Sequence, residues 1–252
     1  MKYIILTISI IVAGIFVYQN LKVVTPKVIS DKIAETPTAV PVKTITFNEV
    51  TRGYSLVNNI NPSKLRLVPN FGSRIPSRKL MADNNCTYGI NGGFYDDKNR
   101  PIGLFRYSGK DISPLKKSQI FNGIISLVNG KLNIGDKALT DAQTWLQTGP
   151  ILISEQKTEG LEIANDKSAR RMVFAKNISG NAMFISIFDP ETEKSGPFLS
   201  EMPGILQKIS LKENLGISNA VNLDGGRASA FYGEDKILPE TDTVGSWWCV
   251  TK

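Results

Sequence analysis

Hydrophobic residues along most of the chain form short runs that are broken by Gly, Asn and Pro. The clearest example is the pair of runs at 124–128 and 131–134, which are joined by Asn129-Gly130. Because Asn-Gly accepts the positive φ angles of a type I′ turn, this spacing predicts a β-hairpin. A second hairpin is predicted for residues 172–176 and 183–188. Further strands are predicted at residues 46–50, 54–58, 65–68, 102–107, 150–153 and 220–223.

Helical periodicity is confined to two places. Residues 201–215 carry apolar positions on one helical face, with Ser200 as a candidate N-cap, Pro203 in the first turn and Gly216 at the end. A shorter helix is predicted at 141–146. The pattern therefore predicts an α+β fold, with a β-rich mixed sheet and a few packed helices in one domain.

The N-terminal part of the chain differs from the rest. Residues 3–18 are uncharged and apolar behind Lys2, which is typical of a signal peptide or a membrane anchor. Residues 20–43 are rich in Lys, Thr, Pro and Val, as in a linker. We therefore expect an export signal or anchor at 1–19, whether cleaved or retained, a linker at 20–43 and a folded catalytic domain at 44–252. This organisation predicts an exported protein, either membrane-anchored or extracytoplasmic, that contacts the membrane through its N-terminal segment.

The amino-acid composition limits the catalytic mechanisms that this protein can use. The 252 residues include no histidine, which excludes Ser-His-Asp and Cys-His catalysis and histidine-ligated metals. Proton transfer must then use carboxylates, Tyr, Lys or Cys. The formal net charge of +7 comes from scattered Lys and Arg rather than a dense basic stripe, so an anionic substrate or an envelope glycopolymer is favoured over nucleic acid as a partner.

The chain contains two cysteines, Cys86 and Cys249. In an exported protein they could form one disulfide, and the sequence alone leaves their pairing open. A nucleophilic cysteine is disfavoured because no histidine is present to activate it.

Three motifs place glycines and polar groups directly after apolar segments. They begin at Asn91 (NGGFYD), at Gln147 (QTGP) and at Asn222 (NLDGGRASAF). Paired glycines permit close approach of backbone N–H groups to a ligand, and a carboxylate at the end of a buried strand is typical of a binding loop. Taken singly, each motif could equally be a turn, with Asp224 as a turn cap.

The order of these motifs, together with ARRMVFA at 169–175, resembles the phosphodiester glycosidase family over about residues 80–235. The sequence departs from the family pattern at Ala175, Arg227 and Ala228, although the Asp, both glycines and Ser229 of the last motif are present. The resemblance implies a hydrolase that cleaves the glycosidic bond of sugar 1-phosphodiesters. Because Arg227 departs from the family pattern, a second alternative is a catalytically silent module that binds glycan or polymer. The third alternative is a conventional glycoside hydrolase with two carboxylates.

The resemblance also implies roles for individual residues. Asp224 is expected as the catalytic carboxylate, Arg171 as the phosphate ligand and Asn91 as a third catalytic residue. Residues expected to bind substrate are Gly92, Gly93, Tyr95, Thr148, Gly149, Arg170, Asn222, Gly225, Gly226 and Ser229. A second carboxylate could come from Asp96, Asp97 or Glu201, so the stereochemical outcome stays open. No cofactor or metal is expected, although the acidic turn at 96–99 could hold Ca²⁺.

Overall fold

The computed structural model describes residues 41–252, and the apolar segment at 1–19 and nearly all of the linker expected at 20–43 lie outside this range. Within the described residues, no helix is long and apolar enough to cross a membrane. The first strand begins at Lys43.

Residues 41–252 form three antiparallel sheets. The first has the strand order β1-β2-β13-β12-β14-β10-β11, the second β16-β15-β4-β17-β3 and the third β6-β5-β9-β7-β8. The strands are β1 (Lys43–Phe47), β2 (Val50–Ile60), β3 (Leu65–Pro69), β4 (Cys86–Asn91), β5 (Phe105–Tyr107), β6 (Lys110–Ser113), β7 (Gly123–Val128), β8 (Lys131–Gly135), β9 (Thr144–Thr148), β10 (Ile151–Ser154), β11 (Lys157–Thr158), β12 (Arg171–Asn177), β13 (Ala182–Phe188), β14 (Ile217–Asn222), β15 (Phe231–Tyr232), β16 (Ile237–Leu238) and β17 (Ser246–Thr251).

Residues 41–252 also contain two α-helices, α1 (Ser77–Asp83) and α2 (Met202–Lys212), together with 3-10 turns at Pro62–Lys64, Leu199–Glu201 and Gly226–Ala228. The expectation of a β-rich α+β domain with a few helices is therefore confirmed. All strand pairs assigned in residues 41–252 are antiparallel rather than mixed.

The main core lies where the three sheets face one another. Phe174 of β12 packs against Trp248 of β17 with ring centroids 4.9 Å apart, and both side chains are buried. The third sheet contributes Phe105, which packs edge-to-face on Phe71 with ring centroids 5.0 Å apart. These aromatic contacts join the sheets into one hydrophobic core.

The opposite face of the first sheet is covered by α2. Met202, Ile205, Leu206 and Ile209 are buried against apolar side chains of β12 and β13. The expected N-cap role of Ser200 is wrong, because a 3-10 turn precedes α2. Asp166 from a distant loop accepts hydrogen bonds from the N–H groups of Leu199 and Ser200 instead.

Two expected elements are also wrong. Residues 141–143 form a turn and residues 144–146 are the first part of β9, because pairing with β7 and β5 buries Leu146. The strand expected at 46–50 is interrupted by Asn48 and Glu49, which have positive φ angles and form the turn between β1 and β2.

Cys86 and Cys249 form a disulfide between β4 and β17, with Cα atoms 5.4 Å apart. The bond closes a separation of 163 residues. Disulfides of this kind persist mainly in oxidising compartments. This observation agrees with an extracytoplasmic location.

Candidate functional site

The site forms where β4 and β14 end, because the loops that follow these two strands hydrogen bond to each other. The Asp224 N–H donates to the Gly92 carbonyl at 3.1 Å. The Asn91 side-chain amide donates to the Asp224 carbonyl at 2.8 Å. The NGG and DGG motifs, which are about 130 residues apart in the sequence, therefore form one structural unit.

Asn91 is buried and holds this unit together. Its Nδ2 donates to the carbonyls of Gly92 and Asp224, and its Oδ1 accepts from the Ala230 N–H at 3.0 Å. Both amide protons are thus used within the protein. The geometry supports a positioning role for Asn91, and its expected part in catalysis stays a prediction.

The third motif joins the unit through Asn222. The Thr148 hydroxyl and the Gly149 N–H both donate to the Asn222 carbonyl, at 2.8 and 3.1 Å. The Asn222 amide donates in return to the Gly149 carbonyl at 3.0 Å. The Gly149–Pro150 peptide bond is cis.

Two glycines of the motifs are required by close packing. A Cβ at Gly92 would collide with the buried Ser246 hydroxyl. A Cβ at Gly225 would lie 2.8 Å from the Arg170 carbonyl. Larger residues at these two positions would push the loops apart.

Asp224 is the titratable group at the centre of the unit. Its side chain is partly buried, and no ion pair in residues 41–252 includes it. Burial raises the pKa of Asp224 from 3.8 to about 7, although a hydrogen bond from the Gly225 N–H opposes the shift. A carboxyl group with this pKa can exchange a proton at neutral pH, as a general acid or base requires.

Arg171 lies at the start of β12, where its backbone is opposite that of Asp224. β12 and β14 are antiparallel with Val173 opposite Asn222, so continuing the register by two residues places Arg171 opposite Asp224. The Leu223 N–H bonds to the Met172 carbonyl at 2.8 Å, which shows that the register does continue.

The Arg171 guanidinium is buried, and two of its three nitrogens donate hydrogen bonds within residues 41–252. Nε donates to the Pro197 carbonyl at 3.1 Å, and Nη2 donates to the Lys167 carbonyl and lies 3.5 Å from Asp166. Burial lowers the pKa of Arg171, and Asp166 partly offsets this effect. Nη1 has no hydrogen-bond partner within residues 41–252 and lies 3.8 Å from the Cβ position of Gly225. This nitrogen is available to an anionic ligand at the DGG turn.

All three guanidinium nitrogens of Arg170 donate hydrogen bonds within the protein. Its Nε donates to the Ser229 hydroxyl at 2.8 Å, Nη2 to the carbonyls of Ser229 and Pro239, and Nη1 to the Glu193 carbonyl at 3.2 Å. The Ser229 hydroxyl donates in turn to the Gly226 carbonyl. Arg170 and Ser229 thus fix the turn that follows Asp224.

Tyr95 borders the unit on another side. Its ring packs on Gly245, and its hydroxyl donates to the Thr243 carbonyl. Burial raises the pKa of Tyr95, and the charges of Asp224 and Asp242 raise it further. Sequence reasoning did not select Asp242, because no motif marks the segment that contains it.

The three carboxylates suggested as partners of Asp224 have other contacts or face solvent. Asp96 accepts hydrogen bonds from Lys98 and Arg100, and the Arg100 guanidinium lowers the pKa of Asp96. Asp97 is exposed, and Glu201 accepts from the Phe198 N–H at 2.9 Å. In the part of the chain that is described, no three acidic or cysteine side chains are grouped as a metal site would require.

Comparison with known proteins assigns the chain to a family. The fold resembles the zebrafish N-acetylglucosamine-1-phosphodiester alpha-N-acetylglucosaminidase catalytic domain, which is auto-inhibited by its pro-peptide, with a TM-score of 0.62 and 14% identity over 84% of this chain and 81% of that one. A protein from Synechocystis gives a TM-score of 0.58 at 14% identity, over 82% of this chain and 61% of that one.

A third structure, a protein from Burkholderia pseudomallei that is described as exported, gives a TM-score of 0.53 at 11% identity, over 80% of this chain and 74% of that one. A search of curated proteins gives no significant match. A model of the phosphodiester glycosidase family matches residues 84–251, which include all three motifs of the site. The chain belongs to the phosphodiester glycosidase family.

Proposed function

We propose that this protein hydrolyses the glycosidic bond of sugar 1-phosphodiesters and that Asp224 is its catalytic carboxylate. The observation that carries the proposal is the position of Asp224, a partly buried carboxyl group with a pKa of about 7, at the junction of the family's motifs. Family membership supports the reaction class, because the zebrafish relative is named for action on an N-acetylglucosamine 1-phosphodiester.

In the proposed reaction, the bond between the sugar C1 and the phosphate oxygen breaks, and the electron pair leaves with the phosphate monoester. The oxygen of a water molecule bonds to C1, and one proton of that water is removed. The second pKa of a phosphate monoester is about 6, so the leaving group departs without strong acid assistance. The ionised Asp224 then has two uses: it stabilises positive charge on the sugar in the transition state, and it accepts a proton from the attacking water.

Arg171 is proposed to bind the phosphate through Nη1. The remaining guanidinium nitrogens are held by Pro197, Lys167 and Asp166, so this nitrogen is oriented before substrate arrives. An oriented guanidinium suits phosphate oxygens and costs little reorganisation on binding. Gly226 allows the substrate close access to the backbone, because a Cβ there would meet only Ala169 at 3.9 Å, and Tyr95 forms one wall. Gly92, Gly93 and Gly225 pack against protein atoms and set the shape of the two loops.

The protein is further proposed to act outside the cytoplasm on a sugar-phosphate substrate or envelope glycopolymer. The Cys86–Cys249 disulfide, the apolar segment at the N-terminus and the likeness to a protein described as exported support this location. The net charge of +7 supports an anionic substrate.

The test is sugar release from a panel of sugar 1-phosphodiesters by the wild type, Asp224→Asn and the control Asp141→Asn. Asp141 is exposed, lies outside the three motifs and forms no ion pair within residues 41–252. We expect turnover by wild type and control, and a loss of at least about 100-fold in kcat for Asp224→Asn. A wild type that binds these compounds without turnover would instead support a silent binding module.

Replacement of Arg171 distinguishes hydrolysis of sugar 1-phosphodiesters from hydrolysis of neutral glycosides. Arg171→Gln is expected to reduce turnover of phosphodiesters, whereas a hydrolase of neutral glycosides would keep its activity. Measuring both substrate classes with one variant distinguishes the two reactions.

A further inference from the structure

We propose that the cavity beside the DGG turn binds a second phosphate group of the substrate, on the unit next to the bond that is cleaved. This inference rests on the proposed function and names the class of substrate, a sugar 1-phosphodiester with a further phosphate on its aglycone. A polymer with repeated phosphates would present this feature at every unit.

The cavity has a volume of about 330 Å³ and is lined by Arg170, Lys194, Gly226, Arg227 and Thr241. Three of these five residues carry a positive charge. The volume is within the range of small-ligand sites, which begins at about 300 Å³.

Two of the three cations are free to bind a ligand. Lys194 and Arg227 are exposed, and their charged groups have no hydrogen-bond or ion-pair partner within residues 41–252. Arg170 instead uses all three of its guanidinium nitrogens on Ser229, Pro239 and Glu193. Arg170 therefore gives the cavity a fixed charged wall, while Lys194 and Arg227 offer unused donors.

The nearby carboxylates offset these charges only in part. Glu193 forms an ion pair with Lys236, and Glu240 accepts hydrogen bonds from the backbone and hydroxyl of Ser77. Asp242 accepts from the Thr243 N–H at 2.8 Å. Hydrogen bonds from neutral groups leave Glu240 and Asp242 charged, so the four cations Arg170, Lys194, Arg227 and Lys236 exceed these three carboxylates by one charge. This excess of positive charge favours an anionic ligand.

The cavity adjoins the proposed catalytic group through the backbone. Gly226 lines it and is two residues from Asp224, a chain length of at most about 7 Å. The Arg227 carbonyl accepts hydrogen bonds from the N–H groups of Thr241 and Asp242, both at 2.9 Å, which fixes the far wall. An anion in the cavity is thus close enough to belong to the same substrate molecule.

Phosphate fits these donors. A guanidinium group can bind two phosphate oxygens in a forked geometry, and an ammonium group adds a compact positive charge. Arg227 and Lys194 together would supply both kinds of contact.

The experiment compares two substrates in the full chain. One is a sugar 1-phosphodiester of glycerol, and the other carries an additional phosphate on the far hydroxyl of the glycerol. We expect wild-type kcat/KM to favour the second substrate by about 10-fold or more, as charge-assisted hydrogen bonds imply. Arg227→Gln and Lys194→Gln should each lower this ratio several-fold, and the double variant should remove the preference.

Matched controls are Arg66→Gln and Lys110→Gln, which remove exposed positive charges from β3 and β6. Both should keep the wild-type ratio. An unchanged ratio in the double variant, or an equal loss in the controls, would overturn the proposal.

A calorimetric titration with glycerol bisphosphate separates this inference from the proposed hydrolysis. Binding that is lost in the double variant but retained in the controls supports the cavity even if no substrate is hydrolysed, in which case the proposed function alone fails. Turnover without any substrate preference, and without binding of the bisphosphate, contradicts the cavity and leaves the proposed function standing.

Discussion

Asp224→Asn is expected to stabilise the folded protein, and to do so more strongly as the pH rises. The pKa of Asp224 is 3.8 in an ordinary environment and about 7 in the folded chain. Folding therefore favours the protonated form of this side chain. In the wild type, stability from this group is fully present below about pH 4 and is lost as the pH rises towards 7. Asparagine is neutral throughout, so the variant avoids this loss.

The size of the effect follows from the two pKa values. They differ by about three pH units, which corresponds to an upper limit on the order of 4 kcal/mol at pH 8. Because the side chain is partly exposed, solvent reduces this figure, and we expect about 2 kcal/mol. At pH 4 the free energies of unfolding of wild type and Asp224→Asn should differ least, because Asp224 is then protonated in the folded protein.

The assay is urea unfolding of wild type, Asp224→Asn and Asp97→Asn at several pH values between 4 and 8. Asp97 is exposed and provides the same chemical substitution in a neighbouring loop. The free energy of unfolding of Asp224→Asn minus that of wild type should rise with pH, while the difference for Asp97→Asn stays flat. A flat or falling difference for Asp224→Asn would refute the assignment of a raised pKa to this carboxyl group.

Three other predictions concern the site and its support. First, kcat should rise with pH through about 7 and then level off, because the ionised form of Asp224 acts in the proposed reaction; a maximum well below pH 6 would contradict this. Second, Arg171→Gln should lower kcat/KM for sugar 1-phosphodiesters by about 10-fold to 100-fold, since a charged hydrogen bond is lost, and an unchanged thermal midpoint would show that the loss is not unfolding. Third, replacing Cys86 and Cys249 with serine should reduce the free energy of unfolding by about 5 kcal/mol in the chain-entropy model, because the disulfide closes a separation of 163 residues; urea unfolding without such a reduction would count against this view.

The sequence predicted strand pairing correctly where a short turn joins the two strands. Asn129 and Gly130 have φ angles of 47° and 74°, and they join β7 to β8 as the Asn-Gly signal predicts. Helix α2 was also found, because its buried face repeats at helical period. Its start was not, because Asp166 comes from a segment far away in sequence.

Strands buried on both faces were harder to predict. β17 reads as a continuous run without alternation, and its tryptophans are fully buried between β3 and β4. β9 was mistaken for a helix because the burial of its Leu146 and Gln147 depends on strands that are distant in sequence. Periodicity does not distinguish such segments when their partners are unknown.

In the site, too, the sequence identified local features but not the contacts between distant segments. The three motifs identified the loops that meet, since each places polar residues after an apolar segment. The sequence did not show that Arg170 is occupied by carbonyl groups or that Arg171 keeps one nitrogen free. Lys194 and Thr241 carry no motif, and only the fold brings them beside Arg227.

The central claim is tested most directly by release of sugar and phosphate monoester from defined sugar 1-phosphodiesters, with wild type and Asp224→Asn measured side by side. The account predicts equal amounts of the two products from the wild type and at least about 100-fold slower release by folded Asp224→Asn. Wild-type rates in Asp224→Asn, or no release by folded wild type from any monomeric or polymeric phosphodiester, would contradict it.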